Sequence, residues 1–479
     1  MLAIAWNRLA EPLERFQLLD LMSDTRPDPK LLALGPEFYD PVRPANFPKC
    51  TARFLNHRWA ERIRLELEEA GWAKHFCRFE PLPDNLPEPL ALRYHGHQFR
   101  VYNPEIGDGR GFTFAQLRDD QGRLLDLGTK GSGQTPYSRH ADGRLTLKGG
   151  VREVLATEML EALGVNTSKS FALFETGEAL ERGDEPSPTR SSVLTRLSHG
   201  HIRIGTFQRL AFFGQVDNLR KLTRYCLENL YGEQPSDDDQ QNALRLFDLV
   251  SSATATLAAS YLAAGFVHGV LNSDNINVTG ESFDYGPWRF TPYWDPEFTA
   301  AYFDQYGLYA FGRQPEAIHW DLAQLGGSLS LIAEAPPLSE MLAAWSDRFE
   351  QAMVTTMLRR IGIAPGENDR EITGALIRAL ASRIHPIDRV FFDWRGGNDP
   401  GVDRYPQEPF RQLAKLLKGR EQPKAHAYWS DPDPCSMHID EVEAIWSAIA
   451  DTDDWQPFNN KVNAIRRMGD AIRQDAPQS

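Results

Sequence analysis

Two carboxylates and one lysine carry the chemistry this sequence offers. The run HGVLNSDNINV sets Asp274 beside Asn275, and Asp284 follows nine residues later in Asp284-Tyr285-Gly286. A carboxylate can take the proton of an attacking hydroxyl. An Asn and an Asp as oxygen ligands suit Mg2+, which keeps waters and borrows phosphate oxygens. Upstream, Gly107 and Gly109 flank Arg110 in GDGRG, and Gly131 follows Lys130. Glycines let backbone N–H groups approach phosphate oxygens without obstruction. Glu153 lies 23 residues after Lys130, suited to fix a phosphate-binding ammonium. Arg196 and Arg203 in TRLSHGHIR offer two guanidinium forks to phosphate. Taken singly, each of these residues is an ordinary turn or surface charge. Their order along the chain is what points to nucleotide chemistry.

The elements around them must place them in one cleft. QFRVYN reads as a strand, broken by EIGDGRG. GFTFAQL reads as a second strand with Phe112, Phe114 and Gln116 on one face. LLDLGTK reads as a third, with Lys130 on the face of Leu124 and Asp126. A meander therefore spans about 98–130. Val151, Val154, Leu155, Met159 and Leu163 recur at helical spacing from about Lys148, and Gly164 stops that helix. Residues 176–192 read as a charged surface excursion before the strand SVLTRL. A helix over 244–264 precedes the HGVLNSDN loop, and INV and SF flank a Thr279–Gly280 turn as a short hairpin. Residues 1–85 read as an irregular, proline- and aromatic-rich lead-in, with a helix from about Leu55 to Ala70. The chain after 340 reads as amphipathic helix, with the last ten residues frayed.

A glycine turn, strand lysine, helix glutamate and Asn/Asp loop in that order are the parts of a protein kinase. The expected fold is α+β: a protein kinase-like bilobal fold with a β-meander N-lobe, a helical C-lobe and extra C-terminal helices. The expected divisions are an extension at 1–85, an N-lobe at 86–195, a C-lobe at 196–340 with the catalytic and metal loops, and a helical region at 341–479. In the kinase register H-R-D-x-x-x-x-N, His268 and Asn275 align, and Val270 stands where the catalytic Asp belongs. Asp274 is then the carboxylate left in that loop to take a hydroxyl proton.

Bulk properties narrow the classes. The net charge is −14 and the pI near 5.4, which argues against a general nucleic-acid binder. The four cysteines, Cys50, Cys77, Cys226 and Cys435, form no CxxC pair. They read as unconnected thiols in a reducing compartment. The N-terminal MLAIAWNRLAEPLERF meets Arg8 and Glu11 too early for a signal peptide. The apolar stretch Leu246 to Val267 carries too many polar residues for a membrane span. A cytoplasmic protein is expected.

YHGHQF, GDGR, the run from LGTKGSGQTPYSRHADGR into VREVLATEMLEALGV, then GFVHGVLNSDN and FDYGP resemble the selenoprotein O family, called YdiU in bacteria. The resemblance covers about 90–330. It implies a kinase-like protein that binds ATP flipped, transfers AMP to Ser, Thr or Tyr hydroxyls of proteins, and releases pyrophosphate. By position it implies ATP contacts from Gly107, Gly109, Arg110, Lys130, Asp142, Gly143, Arg196, Arg203 and Asp284. Glu153 would pair with Lys130, Asp274 would accept the proton, and Asn275 and Asp284 would bind Mg2+, with Mn2+ as an alternative. Expected partners are ATP and protein acceptors, including the enzyme itself, with no nucleic acid and no membrane. The chain departs from the family in lacking a cysteine near its C-terminus, in carrying Arg100 where glycine is usual, and in a poorer match after 340. The other readings are an ATP-binding module without catalysis, or a kinase using the γ-phosphate, which Val270 disfavours.

Overall fold

Lys130 ends a strand in the middle of an antiparallel sheet, and the rest of the chain packs to hold that strand's neighbours in place. The computed structural model describes residues 25–183 and 185–476. The N-terminal stretch weighed above as a signal peptide lies outside the described residues. The strands are β1 (Tyr39–Pro41), β2 (Thr51–Leu55), β3 (Leu90–Leu92), β4 (Gly96–Gln98), β5 (Val101–Asn103), β6 (Thr113–Arg118), β7 (Leu124–Lys130), β8 (Leu145–Thr146), β9 (Lys169–Leu180), β10 (Thr189–Ser198), β11 (Phe266–Val267) and β12 (Arg289–Phe290). The main sheet runs β1-β3-β6-β7-β10-β9-β2, with β8 on β10. Every described pairing in it is antiparallel.

The helices are α1 (His57–Arg62), α2 (Glu69–Phe76), α3 (Leu147–Ala162), α4 (Ile204–Phe212), α5 (Val216–Tyr225), α6 (Asp239–Ala264), α7 (Gln314–Leu329), α8 (Ala335–Ala343), α9 (Trp345–Ile361), α10 (Asp369–Ala381), α11 (Ile387–Asp393), α12 (Glu408–Leu417), α13 (Ile439–Thr452) and α14 (Gln456–Gln474). The result is a mixed α/β architecture. Helix α3 starts where the Thr146 hydroxyl accepts from Gly149 N–H, and α6 where the Asp238 carboxylate accepts from Gln240 and Gln241. Such caps satisfy helix-end donors that would otherwise be orphaned. Helix α6 passes a length and hydropathy test for a membrane span, yet 72% of that window is buried inside the fold. Its Ser251, Thr254 and Ser260 hydroxyls return to carbonyls of their own helix, so it is the central helix of the core.

Three apolar clusters hold the layers. One face of the sheet packs Phe112, Phe114 and Phe171 against Trp59 of α1 and Trp72 and Phe76 of α2. The other face receives α3, with Leu155 in the same cluster as Leu173 and Leu194. A third cluster, including Met357, Ile372, Phe391 and Phe410, knits the helices after 345.

Several expectations need correction. The strand expected at QFRVYN is a hairpin, β4–β5, turning at Phe99 and Arg100 with φ of 50° and 64°. Left-handed backbone favours glycine, which explains why Arg100 is an odd residue there. A bulge between Thr113 and Ala115 breaks the alternation in β6. Phe112 and Phe114 stay with the aromatic cluster, while Gln116 faces the other way and donates to Asp126 at 2.6 Å. INV and SF do not pair with each other: Asn277 bridges Arg203, and Ser282 bridges Thr167. The excursion shrinks because β9 and β10 occupy both ends of 176–192. The helix expected over Leu55–Ala70 is short, α1 at His57–Arg62, with α2 beginning only at Glu69; the last helix runs to Gln474, and residues 477–479 of the expected frayed end lie outside the described residues.

Cys50 and Cys77 are joined by a disulfide, with Cα atoms 6.0 Å apart. The end of α2 and the start of β2 meet beside the aromatic cluster, and the 27-residue separation carries no motif that would reveal it. Cys226 and Cys435 are free, so the reading of four unconnected thiols holds for these two alone, and cysteine usage no longer argues for a reducing compartment.

Candidate active site

Lys130 is almost fully buried at the end of β7. Its ammonium pairs with Glu153 on α3 and lies 2.8 Å from Asp284 Oδ1. Both Lys130 and Glu153 are drawn out of water, so each needs the other. Arg196, on the neighbouring strand β10, reaches the same Asp284 oxygen at 3.3 Å. Arg203, just before α4, sits between the rings of Tyr94 and Phe283 at 4.2 and 4.8 Å. It donates to Asp108 at 3.2 Å and to the Asp274 carbonyl at 3.2 Å. The sheet and the loop after α6 are thus tied together by charge at one point.

These residues border a cleft of about 370 Å3, within the range of small-molecule sites. Its cations are Arg110, Lys130, Arg139, Arg196 and Arg203, and its carboxylates are Asp108, Asp274 and Asp284. A protein of net charge −14 therefore holds a locally cationic cleft fit for a polyphosphate.

Two of these three carboxylates, Asp284 and Asp274, differ in how that charge acts on them. Burial alone would raise the Asp284 carboxyl, but Lys130, Arg196, Arg110 and Arg203 hold it well below the usual range. It stays anionic. Burial pushes Asp274 up to about 7, against the pull of Arg203. Its Oδ1 has no hydrogen-bond partner, and a Cβ on Gly96 would come within 2.8 Å of that oxygen. A carboxylate with one unpartnered oxygen and a pKa near neutrality is suited to accept a proton at physiological pH. His268 is buried. Its Nε2 lies 2.9 Å from the Phe283 carbonyl, which ties the 268–275 loop to the residue before Asp284. Burial lowers its pKa, so it stays neutral.

A second strap holds the glycine turn. Gly107, Gly109 and Gly111 line the cleft, and a Cβ on Gly107 would run into the Tyr137 ring. Thr135 donates its hydroxyl to the Asp108 carbonyl at 2.6 Å, and Ser138 bonds the Gly109 carbonyl. The Tyr137 hydroxyl bonds Asp40, which also pairs with Arg93. With those carbonyls engaged by the 135–138 segment, the turn's shape is set before any phosphate arrives. Gly131, with φ of 86°, turns the chain out of β7 into this segment.

The structure brings Gly107, Gly109, Arg110, Lys130, Arg196, Arg203, Asp274 and Asp284 to one cleft, with Glu153 behind Lys130. Asp142 and Gly143 stand outside its lining. Asp142 pairs with Arg182 at 2.9 Å and accepts from Arg144 N–H, while the neighbouring Ala141 does line the cleft. Asn275 is also outside; its amide donates to the Val270 carbonyl at 3.0 Å, which turns its side-chain oxygen away from that carbonyl. Among the described residues no three His, Cys, Asp or Glu side chains cluster as a metal cage. The donor set fits instead a cation that takes one or two carboxylates and completes its shell from phosphate and water. Asp108, Tyr137, Ser138 and Arg139 are site residues that the motif reading passed over. The signal for the last three was the run GSGQTPYSRHADGR, dense in small and polar residues next to the strand lysine, and Asp108 stands inside GDGRG itself.

A family model described as protein adenylyltransferase SelO matches residues 22–430. The protein nucleotidyltransferase YdiU of Synechocystis is 40% identical over 468 residues, covering 92% of this chain and 97% of that protein. That of Gloeobacter violaceus is 40% identical over 467 residues, covering 92% and 95%. That of Rhizobium johnstonii is 35% identical over 420 residues, covering 86% and 79%. The likeness therefore runs well past residue 340, where a poorer match was expected.

Proposed function

The chain belongs to the SelO family of protein adenylyltransferases and is a nucleotidyltransferase; from that premise we propose that it transfers AMP from ATP to Ser, Thr or Tyr hydroxyls of proteins with release of pyrophosphate. The observation that carries this is geometric: Asp274 and Asp284 line one cleft with five cations, Arg110, Lys130, Arg139, Arg196 and Arg203.

In this reading the fold is kinase-like, and ATP lies flipped so that its α-phosphate meets the acceptor. Gly107, Gly109, Arg110, Lys130, Arg196 and Arg203 hold the polyphosphate, and Asp142 and Gly143 support it from the rim. Glu153 fixes Lys130. Asp284 and Asn275 would hold Mg2+, or Mn2+, which supplies charge neutralisation at the phosphates. Asp274 takes the proton of the acceptor hydroxyl as its oxygen attacks the α-phosphorus, and the bond to the β-phosphate breaks. The cationic residues gain most when charge builds on the departing pyrophosphate. The enzyme itself is among its acceptors, and it works in the cytoplasm.

The test uses ATP labelled at either the α- or the γ-phosphate, incubated with the protein and Mg2+. Label on protein from the α-position alone is expected. Label from γ alone would make this a kinase despite Val270. Label from neither, with a panel of acceptor proteins present, would leave an ATP-binding module.

A further inference from the structure

The cations of the cleft fall into two sets. Lys130 is met by Glu153 and Asp284, Arg196 by Asp284, and Arg203 by Asp108. Three cations stand against three carboxylates, so this inner set is close to neutral before any ligand arrives. Arg110 and Arg139 differ. Both are exposed and both line the cleft, and among the described residues neither side chain makes an ion pair or a hydrogen bond.

These two arginines leave the same backbone contact. Arg110 follows Gly109, and Arg139 follows Ser138. Ser138 bonds the Gly109 carbonyl, and a Cβ on Gly109 would lie 3.0 Å from the Tyr137 carbonyl oxygen and 3.7 Å from Ser138 Cα. The glycine turn and the 135–138 strap are therefore packed backbone to backbone, with one unpaired guanidinium extending from each. The chain around Arg139 is fixed by its own bonds: Ser138 N–H donates to the Thr135 carbonyl at 3.2 Å, Ala141 N–H to the Ser138 carbonyl at 2.9 Å, and the Gln134 amide to the Ala141 carbonyl at 2.9 Å. Within this turn Arg139 holds a φ of 55°, a left-handed conformation that costs energy in a non-glycine residue.

The field of a paired cation is largely cancelled by its carboxylate, so an incoming polyphosphate is drawn by the charge that is not compensated. Guanidinium forks grip phosphate bidentately, and an arginine with no other partner keeps all its donors for that contact. We propose that Arg139 is a phosphate-binding residue, and that with Arg110 it forms a two-guanidinium clamp at the rim that supplies most of the cleft's net pull on the polyphosphate of ATP. This rests on the nucleotide reading of the cleft given above and adds to it Arg139, to which that reading gives no role. The inner set then orients phosphates that the clamp has already captured.

Calorimetry with Mg2+ present measures the Kd for ATP and for inorganic tripolyphosphate on wild type, Arg139→Gln and Arg139→Glu. Arg139→Gln is expected to weaken both ligands alike by about tenfold, and Arg139→Glu by about a hundredfold. The Tm should stay unchanged, because the side chain has no partner in the fold to lose. The fall of ATP affinity between about 50 and about 300 mM NaCl should be shallower in Arg139→Gln than in wild type. Equal ATP affinity in wild type and both variants, or a loss seen for ATP and absent for tripolyphosphate, would overturn the proposal. A wild type that binds neither ligand would bring down the nucleotide reading itself, and the proposal with it.

Discussion

Replacing Asp274 with Asn should destroy transfer and make the protein more stable at pH 8. The side chain is 8% exposed, one of its oxygens has no partner, and burial raises its pKa from 3.8 to about 7. The unfolded chain therefore releases this proton at a lower pH than the native chain. Between pH 3.8 and 7 the unfolded state gains stability with rising pH and the native state does not, so stability falls across that window. Each pKa unit is worth about 1.4 kcal/mol, so by pH 8 the buried carboxylate costs about 4 kcal/mol, and at pH 4 only about 0.5 kcal/mol. Asn has the same shape and no charge to desolvate. Urea unfolding of wild type and Asp274→Asn at pH 4 and pH 8 measures the difference, with the variant's gain confined to the higher pH. A variant that is destabilised, or whose gain is the same at both pH values, would refute the account of Asp274 as a desolvated base.

The same group predicts that kcat/KM for transfer falls about tenfold per pH unit below about 7 and levels above it, as expected for a single base in the free enzyme; a profile flat from pH 5 to 8 would assign the proton elsewhere. Lys130→Ala leaves Glu153 buried and alone and should cost about 3–5 kcal/mol, whereas Lys130→Met/Glu153→Gln should recover most of it, as read by urea midpoints. Gly107→Ala drives the Tyr137 ring off the turn and breaks its link to Asp40, which should raise the Kd for ATP by about tenfold in calorimetry, the worth of one good hydrogen bond. Asp284→Ala should abolish metal-dependent transfer while keeping the fold, and Mn2+ resonance in the presence of ATP should lose its protein-bound signal; a retained signal would move the metal to other ligands.

The parts that act through local spacing were legible in the sequence. Helix α3 announced itself by the period of Val151, Val154, Leu155 and Met159, and α6 by its long apolar run, although α3 is buried on nearly every side and α6 on every side over Leu257–Ala264. Lys130 and Glu153 were readable as a pair because a strand end and the next helix meet. What depended on long-range geometry was hidden. The bulge that turns Gln116 over, the Phe99–Arg100 turn and the Cys50–Cys77 bond each come from how distant segments meet, and a bulge or a left-handed non-glycine residue leaves no periodic trace. The strap of Thr135, Tyr137 and Ser138 was missed for a related reason. Its residues are common loop formers, and only the carbonyls they engage distinguish them from any other turn.

Glu153 stands on a helix whose far side is braced by a much later part of the chain. Arg466 of α14 grips Glu158 of α3 through two nitrogens at 2.7 and 2.8 Å, 308 residues away in sequence, and Gly469 packs against Ala162. On a ribosome adding roughly 5–20 residues per second, that brace emerges about 15–60 s after α3. During the interval α3 exposes a face meant for burial, and the carboxylate that holds Lys130 has an unsupported base. The nascent chain can thus carry every cleft residue before its cleft is firm. The base on which Glu153 stands is complete only once α14 has been made.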